Sequence, residues 1–289
     1  MEVAKKMGTK LTLKSFSMNY KKLLFSVIML LAGILMVVPF IIMISSSFKT
    51  QAMVFESPFT TIIPEKITWE NFSSIFKDEY YFGWYFNSLR VVVLTIVLRG
   101  VFVTMAAYAF AKIEFRLKNV LFLVFISTMM ITPDTTIVSR FLFYKNIGLT
   151  DSYWALVLPA AFDVYFIFML RQFMMGIPKE LSEAAVLDGC GHFRIYSRII
   201  MPLMKPPLVT MVLFTFIWSW NDYANPYVFI NTIKSQTLTV GLTTFQGLGG
   251  ANYALQMAGA TLAVIPTVVL FSFLQKYFVE GIASTGVKG

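Results

Sequence analysis

Glu183-Ala184-Ala185-Val186-Leu187-Asp188-Gly189-Cys190-Gly191-His192-Phe193-Arg194-Ile195-Tyr196-Ser197-Arg198-Ile199-Ile200-Met201-Pro202-Leu203-Met204-Lys205-Pro206-Pro207-Leu208 is a polar island in a chain otherwise built of long apolar runs. Residues 183–188 are dominated by good helix formers, and Gly189 and Gly191 bracket the helix end. Phe193, Ile195, Tyr196, Ile199 and Ile200 then recur at helical spacing, with Pro202 expected to stop the second helix. Two short helices hinged at glycine make a knuckle with an apolar ridge. On a water-facing surface such a ridge needs a partner.

The rest of the chain sets the context. Of its 289 residues 57% are hydrophobic and 13% charged, where a soluble chain carries about 25%. With a mean hydropathy of +0.70, it is expected to be an integral membrane protein. Six apolar segments emerge, at 23–44, 89–110, 120–138, 153–173, 207–223 and 257–278. The first spans 22 residues, too long for the core of a cleavable signal, and follows a basic segment, 1–22. With the N-terminus inside, sixteen Lys and Arg fall inside and six outside, which fixes the orientation with both termini cytoplasmic. The island, within a loop at 174–206, is then cytoplasmic too. All five tryptophans fall at or near the outer side, and Trp84 and Trp154 are expected to be interfacial anchors. The first outer segment, 48–88, is too long for a simple turn and offers a docking surface.

No catalytic constellation is present. The lone His192 has no companion nucleophile or acid at triad-like placement, and the single Cys190 excludes an internal disulfide. No Cys/His cluster suits zinc, and no glycine-rich phosphate cradle ends in Lys-Ser/Thr. The chain is therefore expected to be no enzyme and to bind no metal or cofactor. Any ATP or magnesium chemistry belongs to another polypeptide.

The spacing of Glu183-Ala184-Ala185, Asp188-Gly189, Ile199 and Pro202-Leu203 resembles the coupling loop of permease subunits in binding-protein-dependent ABC importers. Further stretches carry the same resemblance, among them Ser46-Ser47-Phe48-Lys49, Asn87-Ser88-Leu89, Arg171-Gln172-Phe173, Trp220-Asn221-Asp222 and Gly286-Val287-Lys288-Gly289. Together they are similar to the smaller six-span subunit of maltose-type carbohydrate importers, over essentially the whole chain from the first span onward. Ser139 departs from that pattern, where a proline and a helix break are common, and Cys190 stands where a small residue such as Ala is usual.

The resemblance implies an all-α fold with six transmembrane helices at 23–278, a two-helix coupling loop, and a tail at 279–289. It also implies a bacterial inner or plasma membrane location and a heterodimer with a second, homologous permease. Two copies of a cytoplasmic ATP-binding subunit and an extracytoplasmic solute-binding protein would complete the assembly, with no nucleic acid. Glu183, Ala184, Ala185, Asp188, Gly189, Ile199 and Pro202 would couple to the ATPase, and Lys288 and Gly289 would touch it. Glu183 and Asp188 are expected to hold the knuckle by accepting hydrogen bonds or by pairing with bases such as Arg194 or Arg198.

Charge within a span marks a functional site by default. Arg99 and Asp163 are the mid-span candidates; Arg99 lines the pathway or pairs with Asp163 or with an acid of a partner subunit, pairing being the favoured reading, and Tyr165 stands beside Asp163. Asn221 and Asp222, ahead of Pro226, break the fifth span in a gate-like way, where the alternative is an ordinary helix cap. A carboxylate beside aromatic rings suits a hydroxyl-rich sugar, so the cargo is expected to be a carbohydrate, an oligosaccharide above all. Arg90, Arg99 and Arg140 in the outer half extend that class to acidic oligosaccharides. Glycerol-phosphate compounds and polyols are the alternatives within the importer class. A secondary transporter or a membrane receptor or scaffold is the alternative outside it.

Overall fold

An apolar run of span length must satisfy its backbone within itself, and the helix does so. The computed structural model describes residues 20–56, 64, 66–247 and 250–286, and it is all-α apart from one two-residue hairpin among them. α1 (Tyr20–Ser47) leads to the short α2 (Gln51–Glu56) and α3 (Glu70–Lys77), then to the 32-residue α4 (Tyr81–Lys112). α5 (Lys118–Thr128) and α6 (Ile137–Asn146) are joined through a 3-10 turn at Pro133–Thr136. α7 (Trp154–Ala161), α8 (Val164–Met175) and α9 (Lys179–Leu187) follow. α10 (His192–Ile195), a π turn (Tyr196–Ile200) and α11 (Met201–Leu203) run on as one helix. α12 (Lys205–Trp220), α13 (Ala224–Phe229) and α14 (Leu238–Thr243) precede β1 (Gln246–Gly247), β2 (Gly250–Ala251) and α15 (Tyr253–Gly286).

Among the described residues four helices are long and apolar enough to cross a membrane: Lys22–Ser47, Tyr81–Lys112, Trp154–Met175 and Tyr253–Gln275. The third expected span is bent, and a bend also precedes the fifth. α5 meets the Pro133–Asn146 helix at 83°, and His192–Leu203 meets α12 at 80°, so six spans result only if each bent pair counts as one. Ser139 lies inside α6, and the third span breaks instead ahead of Pro133. Proline there lacks the amide that would continue the ladder.

Pro202 does not stop the second knuckle helix. The helix widens to a π turn, with the Met201 amide donating to the Tyr196 carbonyl, and so carries the chain past the proline to Leu203.

α4 is the axle, packed on α7, α8, α12 and α14, while α15 packs on α1, α3 and α12. Of three apolar clusters in the bundle, two lie at opposite ends of it. One, at the knuckle end, joins Val103, Phe166, Leu170 and Met174 to Ala185, Ile195, Ile200 and Met204. The other, at the distal end, joins Ile75, Tyr81, Trp84, Phe216, Trp220 and Leu238.

One face of α4 grips the distal loop by its backbone. Trp84 Nε1 donates to the Ile233 carbonyl at 2.7 Å, and Asn87 Nδ2 donates to those of Lys234 and Gln236. Ser88 Oγ accepts from the Leu238 amide at 2.9 Å. Trp84 is therefore a core residue, 2% exposed, and not an interfacial anchor; its N–H is spent inside the protein. Trp154, 45% exposed, keeps the exposure an anchor needs. Within the 48–88 segment, Asn71 of α3 donates to the carbonyls of Ser47 and Lys49, satisfying groups that the end of α1 leaves open.

Candidate functional site

The knuckle is closed by a glycine in the left-handed region. Gly189, at φ +76°, follows the C-cap Asp188, its amide donating to the Val186 carbonyl, while the Cys190 amide donates to that of Ala185 at 2.9 Å. These paired bonds form a Schellman closure. Cys190 packs against the same cluster as Ala185, the small contact that such a closure favours.

The apolar stripe divides between two faces. Ile195, Ile200 and Ala185 are buried, Tyr196 and Ile199 partly so, and together they seat the knuckle on the bundle. Each buried isoleucine contributes about 1.5–3 kcal/mol to that seat. The exposed ridge is instead Val186, Leu187 and Phe193, with Leu187 89% and Phe193 73% exposed. Of the expected coupling residues, Glu183, Ala184, Asp188, Gly189 and Pro202 lie on the exposed surface. Ala185 and Ile199 face inward. Among the described residues neither Glu183 nor Asp188 forms an ion pair, with Arg194, Arg198 or any other base. Lys288 and Gly289 lie outside the described residues.

The second candidate site is a cleft of about 750 Å³ between the break in the third span, the interruption in the fourth and the end of α12. It is organised by the interruption at Phe162–Asp163, where α7 ends and Asp163 caps α8, its Oδ1 accepting from the Tyr165 amide at 2.9 Å. The last turn of a helix leaves carbonyls without helical partners. Arg99 takes up that of Ala160 through Nε at 2.8 Å and through Nη2. Its Nη1 donates to Thr215 Oγ1 at 2.8 Å, and its Nη2 lies 3.1 Å from Asp163 Oδ2. The guanidinium also sits 4.7 Å from the Phe166 ring centre. The expected Arg99–Asp163 pair is thus present, and it ties α4 to α8 and α12.

Across the cleft a second polar chain runs from Asp222 through Asn225 to Arg140. Asp222 accepts from the Asn225 amide and side chain, and its own carbonyl accepts from Thr239 Oγ1 at 2.6 Å. Arg140 Nη2 donates to Asn225 Oδ1 at 3.0 Å, while Arg140 Nε is buried without an acceptor. Half-exposed Tyr165 and Trp218 line the cleft, their rings 6.0 Å apart.

Asp163, Tyr165, Arg99 and Asp222 therefore share one cavity, and Asn221 does not line it. It is exposed, with Nδ2 turned back to the Ile217 carbonyl. Arg90 also lies elsewhere, over the Tyr153 ring. The cleft residue that sequence reasoning missed is Trp218. Its position four residues before Asp222 in the sequence was the available signal.

With this geometry in view, the likenesses to known proteins are specific. Residues 103–284 match the family model described as "Binding-protein-dependent transport system inner membrane component". The chain is 34% identical over 255 residues to the arabinooligosaccharides transport system permease protein AraQ of Halalkalibacterium halodurans, covering 88% of this chain and 91% of the relative. It is 33% identical over 255 residues to the melibiose/raffinose/stachyose import permease protein MelC of Bacillus subtilis, covering 87% and 91%. It is 31% identical over 266 residues to the maltodextrin transport system permease protein MdxG of the same organism, covering 90% and 93%. A crystal structure of a bacterial ABC transporter involved in the import of the acidic polysaccharide alginate shares the fold. The TM-score is 0.80 at 23% identity, over 91% of this chain and 99% of that one.

Proposed function

The chain belongs to the binding-protein-dependent transport system inner membrane components, and from that premise we propose that it forms half of the translocation pathway for an oligosaccharide. The observation that carries this reading is the cleft. Its aromatic wall, Tyr165 and Trp218, suits the apolar faces of sugar rings, and its charges are largely matched within the protein. The sugars named for the relatives, arabinooligosaccharides, melibiose and maltodextrin among them, support the same class.

In this reading a second, homologous permease supplies the other half, and a solute-binding protein delivers cargo to the distal end. Two cytoplasmic ATPase subunits dock at the knuckles, both termini lie in the cytoplasm, and 23–278 is the permease domain. ATP binding draws the knuckles together and turns the pathway outward, and hydrolysis resets it inward. The exposed Val186, Leu187 and Phe193 ridge suits docking. The buried Ile195 and Ile200 let the knuckle move as a rigid body with the bundle.

Reconstitution of the four-component transporter in vesicles, with uptake of labelled oligosaccharides, tests the proposal. Trp218→Ala should lower uptake by roughly tenfold with assembly intact, on the basis of about 1–1.5 kcal/mol for a lost aromatic contact. Unchanged uptake in that variant would remove the cleft from the pathway.

Acidic oligosaccharides are favoured by one observation of their own. Only Nη2 of Arg140 finds acceptors among the described residues, so this cation retains unmet capacity, whereas every nitrogen of Arg99 is used. The acidic-to-neutral uptake ratio in Arg140→Gln, compared with wild type, separates the two cargoes. A fall supports the acidic one.

A further inference from the structure

A groove of about 1160 Å³ opens beside the knuckle, between the α4–α5 loop and α9; Glu183, Val186 and Leu187 of the knuckle edge it, and the transport reading gives its cations no role. Four cations line it, Lys112, Lys118, Arg171 and Lys179, against two carboxylates, Glu114 and Glu183. Only Glu114 is paired, with Lys118 at 3.1 Å. Lys112 Nζ donates to the Ile177 carbonyl and Arg171 Nε to that of Phe110, which anchors both side chains without cancelling their charge. Lys179 has no partner among the described residues, and Ser182 Oγ, also on the lining, is buried without one. The groove thus holds an excess of positive charge and an unmet hydroxyl.

The groove also has an apolar exit. Lys112 ends α4 and Lys118 begins α5, so the groove sits where two apolar helices leave their apolar layer. From there α5 carries Val120, Leu123 and Val124 outward, each more than half exposed. An acidic protein segment would meet the cations but leave this track bare. A molecule with an anionic head and hydrocarbon tails meets both.

We infer that this groove binds the headgroup of an anionic phospholipid, with its acyl chains lying along α5. Basic pockets between membrane helices take such headgroups, each Lys or Arg contributing about 1 kcal/mol near an anionic surface.

The test uses the assembled transporter in nanodiscs of equal phosphatidylglycerol and phosphatidylcholine, with retained lipid counted by native mass spectrometry. Wild type should retain phosphatidylglycerol in preference, and inorganic phosphate at millimolar concentration should leave that preference unchanged. Lys118→Gln with Lys179→Gln should reduce the preference by roughly tenfold or more, and the matching pair of Arg substitutions should keep it. If the double variant does not assemble, Lys179→Gln alone, at an exposed side chain, should still reduce it by roughly fivefold. Equal retention of both lipids by wild type, or displacement by inorganic phosphate, would overturn the inference. So would a preference that appears only after the ATPase subunits are removed, because the groove would then be theirs.

Discussion

At the residue scale the Arg99–Asp163 pair decides most. Arg99 is 4% exposed and divides its donors among the Ala160 carbonyl, Thr215 and Asp163, so removing one partner strands a charge in an apolar bundle. Arg99→Ala or Asp163→Ala alone should each cost about 3–5 kcal/mol. Arg99→Met with Asp163→Leu should be less destabilised than either single change. Thermal unfolding of the purified transporter checks this, and a double variant worse than both singles would exclude the closed pair. At the distal end, Asp151 accepts from the amides of Asn231 and Thr232 and from the Thr232 hydroxyl, and these bonds hold its carboxyl below the ordinary value of 3.8. A carboxylate held lower in the folded state binds its proton more weakly there than in the unfolded chain. Its contribution is therefore complete above about pH 3.8 and lost as pH falls through the lower folded value. Hydrogen exchange at Asn231 and Thr232 should lose protection below that pH in wild type. In Asp151→Asn protection should be lower throughout and lack this transition.

At the element scale the knuckle is the testable unit. Leu187→Asp or Phe193→Asp changes an exposed side chain, so the spans should insert and the subunits fold. Uptake should fall at least roughly tenfold while basal ATPase activity persists, since charge replaces apolar contact at the ridge. Full uptake in both variants would dissociate the ridge from coupling. Ile195→Ala should instead loosen the knuckle from the bundle, at a cost of about 2–5 kcal/mol, because Ile195 is 1% exposed. A charge at the buried Ala185 acts in this second way, on the seat and not on docking. The helical period was legible in the sequence here, and so was the turn at Gly189. Which half of the stripe faces the bundle was not, because periodicity defines a line of residues and not the neighbour it meets. The passage through Pro202 was equally hidden, since it depends on a π turn that no spacing announces.

At the scale of the whole molecule, the spans were legible because an apolar run of such length has few other uses. Arg99 and Asp163 were legible for a related reason: charge in such a run calls for a partner. The 83° bend was not, because apolar residues continue from α5 through Met129, Met130 and Ile131 to Pro133, whereas the 80° bend falls at Met204, between the helix stop expected at Pro202 and the span expected from 207. Trp84 misled for want of its partner, the Ile233 carbonyl, which lies 149 residues further along the chain. Orientation gives the remaining prediction. In a Cys190→Ala background, Arg116→Cys, exposed in the α4–α5 loop, should react with a membrane-impermeant maleimide in inverted vesicles and not in intact cells. Lys234→Cys, at a position 73% exposed, should do the reverse. The opposite pattern would invert the topology.

A conduit has to admit its load and then let it go, so each stop along the wall must be shallow. If the cleft is the pathway proposed above, the closed Arg99–Asp163 pair leaves a saccharide passing that part of the wall mostly ring faces and neutral dipoles. Unanswered, the same two side chains would hold an ionic or strongly hydrogen-bonding solute for long dwell times and throttle the flux. On that reading, pairing these two charges within the wall favours fast transit.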